Sequence, residues 1–336
     1  MSRFATITGT GMYVPETVLT NADLSARLGT DIDDFVSNVL GIRERRVCAP
    51  DESVADLAER AGSAALTARG LAPGDIDLLI VATDTPEYVT PATSSELHGR
   101  LGLRNAGTFD VNCACAGFVT ALDIAGKYIV ADARYRRILV IAAYAMSKYI
   151  DYADKKTSTI FADGAGAVIV EASAEPGILA SELRADGRLV RGMGVFAGGT
   201  KEPITTEVLA AGERNRLRFV EKYPAEVNED GWPDIARAVL ARAGASIDDV
   251  DLWLWTQVNR STIEVVMAAL RVPLERAHLV MERWGYTGSA CLPMALHDAL
   301  ERGRVGEGDL LLMTGSGAGL AMGTVALRWN PHPVES

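Results

Sequence analysis

The chain has 336 residues, 48% of them hydrophobic and 23% charged, and carries a net charge of −11 at pH 7. That apolar content excludes a disordered or fibrous chain and suffices for one large folded unit or two smaller ones. The acidic balance argues against a nucleic-acid footprint, which would show as a basic face, so no nucleic-acid partner is expected.

In chain order, the opening run Phe4-Ala5-Thr6-Ile7-Thr8 is interrupted by Gly9, Gly11 and Pro15, so no signal peptide is read there. No apolar run approaches the roughly 20 residues of a membrane span, and a cytoplasmic protein with no membrane partner is expected. Leu78 to Ala82 reads as a strand, Ser94 to Leu101 as a helix, Gly107 to Cys115 as a strand-like run entering a helix, and Ile138 to Ile141 as a further strand. This alternation points to an α/β layered fold. The cysteines Cys48, Cys113, Cys115 and Cys291 show no disulfide framework, which fits a reducing compartment. No metal site is expected.

Cys115 is the residue with the most chemistry in its surroundings. After it, apolar residues recur at Phe118, Val119, Ala121, Leu122, Ala125, Tyr128 and Ile129, which is helical spacing. A thiol at a helix N-terminus feels unpaired N–H groups and the positive end of the helix dipole, both of which favour thiolate. Its small neighbours Ala114, Ala116 and Gly117 leave room for a substrate, whereas a cysteine that merely fills core is usually flanked by bulk.

Internal repetition organises the rest. Asp77-Leu78 recurs as Asp251-Leu252 and Ala121-Leu122 as Ala295-Leu296, in a register that sets Ser289 against Cys115 (289 − 115 = 174). Two similar halves are expected, residues 1–172 carrying the nucleophile and 173–336 completing the site, joined near Glu175-Pro176-Gly177. Gly164-Ala165-Gly166 and Gly315-Ser316-Gly317-Ala318-Gly319 lack the Lys-Ser/Thr of a phosphate loop. Glycine there is better read as letting backbone N–H groups approach a reacting carbonyl, as an oxyanion hole requires.

The segment Phe109-Asp110-Val111-Asn112-Cys113-Ala114-Cys115-Ala116-Gly117-Phe118 resembles the nucleophile segment of the ketoacyl-acyl-carrier-protein synthase III family. Asn21-Ala22-Asp23-Leu24, Gly41-Ile42-Arg43-Glu44-Arg45, Phe161-Ala162-Asp163-Gly164-Ala165-Gly166-Ala167 and Gly317-Ala318-Gly319-Leu320-Ala321-Met322-Gly323 extend the resemblance over nearly the whole chain. It implies an α/β thiolase fold of five layers, α-β-α-β-α, and a homodimer. It also implies that Cys115 takes an acyl group from an acyl-CoA or acyl-carrier-protein phosphopantetheine thioester, with no permanently bound cofactor. The backbone N–H groups of Cys115 and Gly319 would form the oxyanion hole, and an acyl carrier protein would be the partner.

Two positions depart from the family pattern. Where members carry His-Gln-Ala-Asn this chain has Thr256-Gln257-Val258-Asn259, and the asparagine of a His-Gly-Asn-Thr-Ser context is Tyr286 in Trp284-Gly285-Tyr286-Thr287-Gly288. Thr256 has no basic nitrogen, and Tyr286 offers a phenol with an ordinary pKa near 10. His98, His278, His297 and His332 are read as packed or surface residues. Acylation of Cys115 is therefore expected to survive, with Thr256 and Tyr286 as the remaining catalytic positions. The intact elbow beside this altered pair points to an acyltransferase of polyketide or other specialised metabolism. The alternatives are a decarboxylating 3-oxoacyl synthase using Tyr286 and Thr256, or a non-catalytic partner subunit.

The resemblance also places Phe35 and Lys155 where an adenine is clamped, with Val39 nearby, and Asn259 and Arg260 at the substrate. Lysine lacks the planar stacking face of arginine, which tilts the donor toward a carrier protein. Arg214, Arg216, Arg218, Lys222 and Arg260 would form the basic patch for it, or else a solvated helix face. The segment from Gly192 to Arg218 is expected to cover the entrance.

Overall fold

The computed structural model describes residues 3–212, 215–224 and 226–334. Runs rich in Val, Ile, Leu and Ala form strands buried on both faces, as a sheet covered by helices on each side requires. Five strands make one sheet: β1 (Phe4–Tyr13), β2 (Leu78–Ala82), β3 (Gly107–Val111), β4 (Arg137–Ala145) and β5 (Asp163–Ser173), in the order β1-β5-β4-β2-β3. Four make the other: β6 (Ile178–Ala185), β7 (Leu252–Trp255), β8 (Leu310–Gly317) and β9 (Ala321–Arg328), in the order β7-β8-β9-β6.

The two orders match strand for strand. β6, β9, β8 and β7 repeat β1, β5, β4 and β2, including the parallel pairing of β4 with β2 and of β8 with β7. The counterpart of β3 is reduced to a single parallel bridge between Trp253 and Ala277. Helices α1 (Val54–Arg69) and α2 (Thr93–Leu101) cover the outer face of the first sheet, and α4 (Gly231–Ala243) that of the second. Between the sheets lie α3 (Gly117–Ala131) and α6 (Cys291–Glu301), with α5 (Arg260–Leu270) beside α4. The result is the five-layered α-β-α-β-α thiolase fold.

The stretch Ala114–Ala131 corrects one expectation from the sequence. It is 18 residues long and apolar enough by composition to cross a membrane, but 72% of it is buried, because it is the central helix packed between both sheets. An amphipathic surface helix shows one apolar stripe, and a helix that is apolar all round belongs to an interior. The basic run is also corrected. Arg218 lies in a two-residue strand paired with Met193–Gly194, not on a helix face, and Arg214 lies outside the described residues.

Candidate active site

The sequence makes the same elbow twice. Residues 114–116 and 288–290 each form a single tight turn leading into α3 and α6, with Cys115 at the centre of the first and Ser289 at the centre of the second. Both turns open on a left-handed residue, Ala114 at φ 46° and Gly288 at φ 50°. In the second copy only glycine fits, since a Cβ would stand 2.3 Å from the Tyr144 ring. In the first, Asn112 Oδ1 accepts from the Ala114 N–H (3.2 Å), and the strained backbone points the thiol toward the second half. Ser289 serves the structure, its hydroxyl donating to the carbonyls of Ala82 (3.2 Å) and Ala143 (3.4 Å) at the ends of β2 and β4.

Cys115 is buried and opens onto a cavity of about 110 Å³ lined also by Thr256, Tyr286, Ser316 and Ala318. Thr256 follows β7. Its Oγ1 accepts from the Ser316 N–H (2.9 Å), which leaves its own hydroxyl proton for the cavity. Ser316 in turn receives the Trp232 indole N–H (3.0 Å) and donates to Asn228 Oδ1 (2.9 Å). Tyr286 is pinned by its backbone, its N–H to Ile160 O (3.0 Å) and its carbonyl from Ala162 N–H (2.9 Å). The chain approaches so closely there that a Cβ on Gly285, at φ 69°, would stand 2.8 Å from both Ala162 Cβ and Arg45 Cβ.

The Tyr286 phenol and the Cys115 thiol line the same cavity and act on each other electrostatically. Electrostatically this is a neutral-thiol site. Burial pushes the Cys115 pKa well above the usual cysteine value, the Asp84 carboxylate pushes it further, and the Tyr286 hydroxyl acts the other way. The thiolate expected from the helix N-terminus is thereby overturned: the dipole's half charge is outweighed by loss of water and by a neighbouring anion. Tyr286→Phe should raise the thiol pKa further, since the phenol is the side chain that favours the thiolate there. Alkylation of Cys115 by iodoacetamide at pH 8 should then slow by about threefold to tenfold, the worth of one polar interaction, and an unchanged rate would mean that the phenol does not act on the thiol.

Residues 109–187 match the model of 3-oxoacyl-[acyl-carrier-protein] synthase III, and residues 240–329 match the model of its C-terminal part. A β-ketoacyl-[acyl-carrier-protein] synthase III of Roseiflexus castenholzii is 39% identical over 334 residues, covering 98% of this chain and 99% of the relative. The chain belongs to the 3-oxoacyl-acyl-carrier-protein synthase III family. The crystal structure of the Pseudomonas aeruginosa synthase III superposes with a TM-score of 0.88 at 34% identity, covering 99% of this chain and 100% of that one. That of Aquifex aeolicus gives 0.87 at 34% identity, with 96% and 99% covered.

Within this synthase III fold, Cys115, Thr256 and Tyr286 come together, and the other expected residues do not join them. Gly317, not Gly319, abuts the nucleophile: a Cβ there would stand 2.4 Å from the Cys115 nitrogen. Ala318 lines the cavity, and Gly319 does not. Asn259 caps α5, its Oδ1 accepting from the Thr262 N–H (2.7 Å) and the Ser261 hydroxyl (2.9 Å). Arg260 pairs with Glu264 (2.7 Å), and its stem packs over Gly41. Phe35, Val39 and Lys155 are exposed and line no part of this cavity. Asn259→Ala should lower stability by about 1 kcal/mol, the worth of a helix cap. Thermal unfolding checks this, and a change in KM with no loss of stability would restore Asn259 to the substrate.

The histidines stay out of the cavity as expected. His278 bonds Asp298 (2.8 Å), His297 bonds the Thr10 hydroxyl (2.9 Å), His98 bonds the Ala106 carbonyl (3.1 Å) and His332 bonds Glu307 (3.0 Å). The segment from Gly192 to Arg218 contributes Met193, and residues just beyond it contribute Phe219, Tyr223 and Asn228. Sequence reading missed Tyr223, Asn228 and Asp84. For Asp84 a signal existed, its place at the carboxyl end of a parallel strand, where α/β sheets build their sites.

Proposed function

We propose that the protein is a condensing enzyme that loads an acyl group from an acyl-carrier-protein or coenzyme A thioester onto Cys115. The observation carrying this reading is a buried thiol at a strained elbow, facing a cavity into which Tyr286 and Thr256 bring hydroxyl groups. In the oxyanion hole the Cys115 N–H is joined by the Ala318 N–H in place of that of Gly319, because Ala318 is the residue of that turn lining the cavity. Two such donors act where charge develops on the thioester oxygen.

For the second half-reaction, the names of the relatives favour carbon–carbon condensation over transfer to some other nucleophile. Decarboxylation of a malonyl thioester builds negative charge on its carbonyl oxygen, and the Thr256 and Tyr286 hydroxyls are the neutral donors available to it. A second reading, transfer to a preformed nucleophile, rests on there being no imidazole among the described residues that line the cavity. A non-catalytic subunit is disfavoured by the retained thiol. An acyl carrier protein as partner, homodimer formation, a cytoplasmic setting and the division at residue 172 belong to the same proposal.

Incubating the purified chain with acyl-CoA thioesters from acetyl to octanoyl should give a mass adduct on Cys115. Adding labelled malonyl-acyl-carrier-protein should then release labelled carbon dioxide and discharge the adduct. Loading without carbon dioxide favours the second reading, and no adduct with any donor overturns both.

A further inference from the structure

A buried carboxyl oxygen without a partner stands at the end of the strand next to the one that leads to the nucleophile. Asp84 is one residue beyond β2, and the chain on either side of it is tied down. The Thr83 N–H donates to Val111 O (3.1 Å) at the end of β3, and the Ala145 N–H at the end of β4 donates to Thr85 Oγ1 (2.9 Å). β3 continues through Asn112 to Cys115, so Asp84 and the thiol share the carboxyl edge of the same three parallel strands. Asp84 Oδ1 is buried and makes no hydrogen bond. Buried carboxyl oxygens are nearly always paired, and one left open on the sheet edge that carries the nucleophile calls for a chemical reason.

The groups its charge acts on are Cys115 from the elbow, Tyr144 from β4 and Tyr149 from the turn after β4. Behind them Tyr286 and Cys291 face Cys115, and Asp163 faces Tyr144. Among the described residues, neither lysine, arginine nor histidine is among the groups acting on Asp84. Lys148, the nearest in sequence, is turned to the carbonyls of Ala49 (2.7 Å) and Pro50 (3.2 Å). The acid is therefore without a cation to hold its charge, and burial pushes its pKa up to about 6. A base with a pKa near the working pH is the kind that transfers protons efficiently.

We propose that Asp84 is the proton acceptor for Cys115. The proposal rests on the acyl-loading reading above. As Sγ attacks the thioester carbonyl, the Sγ–H proton passes to the Asp84 carboxylate and the Sγ–C bond forms. When the tetrahedral intermediate collapses, the carbonyl carbon's bond to the donor sulfur breaks, and Asp84 returns the proton to the departing thiolate. The site ends with a neutral acyl-cysteine, a neutral thiol product and Asp84 ionised again, so no charge or co-reactant is left over. The thiol need not ionise beforehand, which fits a cysteine whose surroundings disfavour thiolate.

The test is the rate of acyl-enzyme formation by the whole chain with acyl-CoA donors, followed by rapid quench and intact-mass measurement from pH 5 to 9. The wild-type rate should rise with pH through an apparent pKa near 6. Asp84→Asn should lower the rate at pH 7 by about 10²- to 10⁴-fold and abolish that limb, and Asp84→Glu should restore part of both. A carboxylate that only repelled the thiolate would instead make acylation faster when replaced by asparagine. Equal or faster acylation in Asp84→Asn, or a flat wild-type profile between pH 5 and 7, overturns the assignment while leaving acyl loading intact. Absence of acylation in the wild type overturns both.

Discussion

Gly317→Ala should cost the protein its acyl loading together with part of its stability. The added Cβ would stand 2.4 Å from the Cys115 nitrogen, 2.9 Å from Ala114 Cβ and 3.1 Å from Cys115 Cα. None of these atoms ends a flexible side chain, so the turn after β8 and the elbow must separate. Overpacking of this kind destabilises by about 1–3 kcal/mol. The kinetic effect is larger, because a shift of about 1 Å at a reacting group lowers rates by about 10²-fold. Gly187→Ala is the matching control, since a Cβ there meets open space. Chemical denaturation and the acyl-adduct rate together check the expectation. A Gly317→Ala variant that loads at the wild-type rate would mean that the elbow tolerates the separation.

The position of Gly317 shows where sequence reading stops. The run from Gly315 to Gly319 announces close backbone approach, and the structure has it. Which glycine meets the thiol depends on how β8 registers against the elbow, and no local pattern encodes that. Other features are legible because they are periodic. The change from strand to helix around Cys115 is a change of hydrophobic period, and the repeat is visible in the matching turns at 114–116 and 288–290. Asn259 misleads because one residue type serves two purposes: an asparagine before a helix is a cap by local geometry, whatever a family motif suggests.

The ionisation of Cys115 escapes sequence reading for a different reason. Helix position is a local property, while desolvation and the charge of Asp84 come from segments far away in sequence. Asp84 itself belongs to no motif. It becomes visible only where the β2 end packs against the elbow.

Asp84→Asn should stabilise the fold near neutral pH even as it slows acyl loading. The carboxyl pKa is about 6 in the folded chain against 3.8 ordinarily, so the fold disfavours the ionised form. Below pH 3.8 the group is protonated folded or unfolded and exerts no penalty. As pH rises from about 4 to 6 the unfolded chain ionises first, and stability is lost over that window. Above it the penalty is constant at about 3 kcal/mol, two pKa units at about 1.4 kcal/mol each. An asparagine copies the neutral acid's shape without its proton equilibrium. The variant should therefore match the wild type near pH 4 and exceed it by about 1–3 kcal/mol at pH 7.5. Urea unfolding at the two pH values checks this. A gain of the same size at both would mean that packing, not charge, distinguishes the variants. A gain confined to neutral pH, alongside slower loading, would mark Asp84 as a site where the chain gives up stability for chemistry.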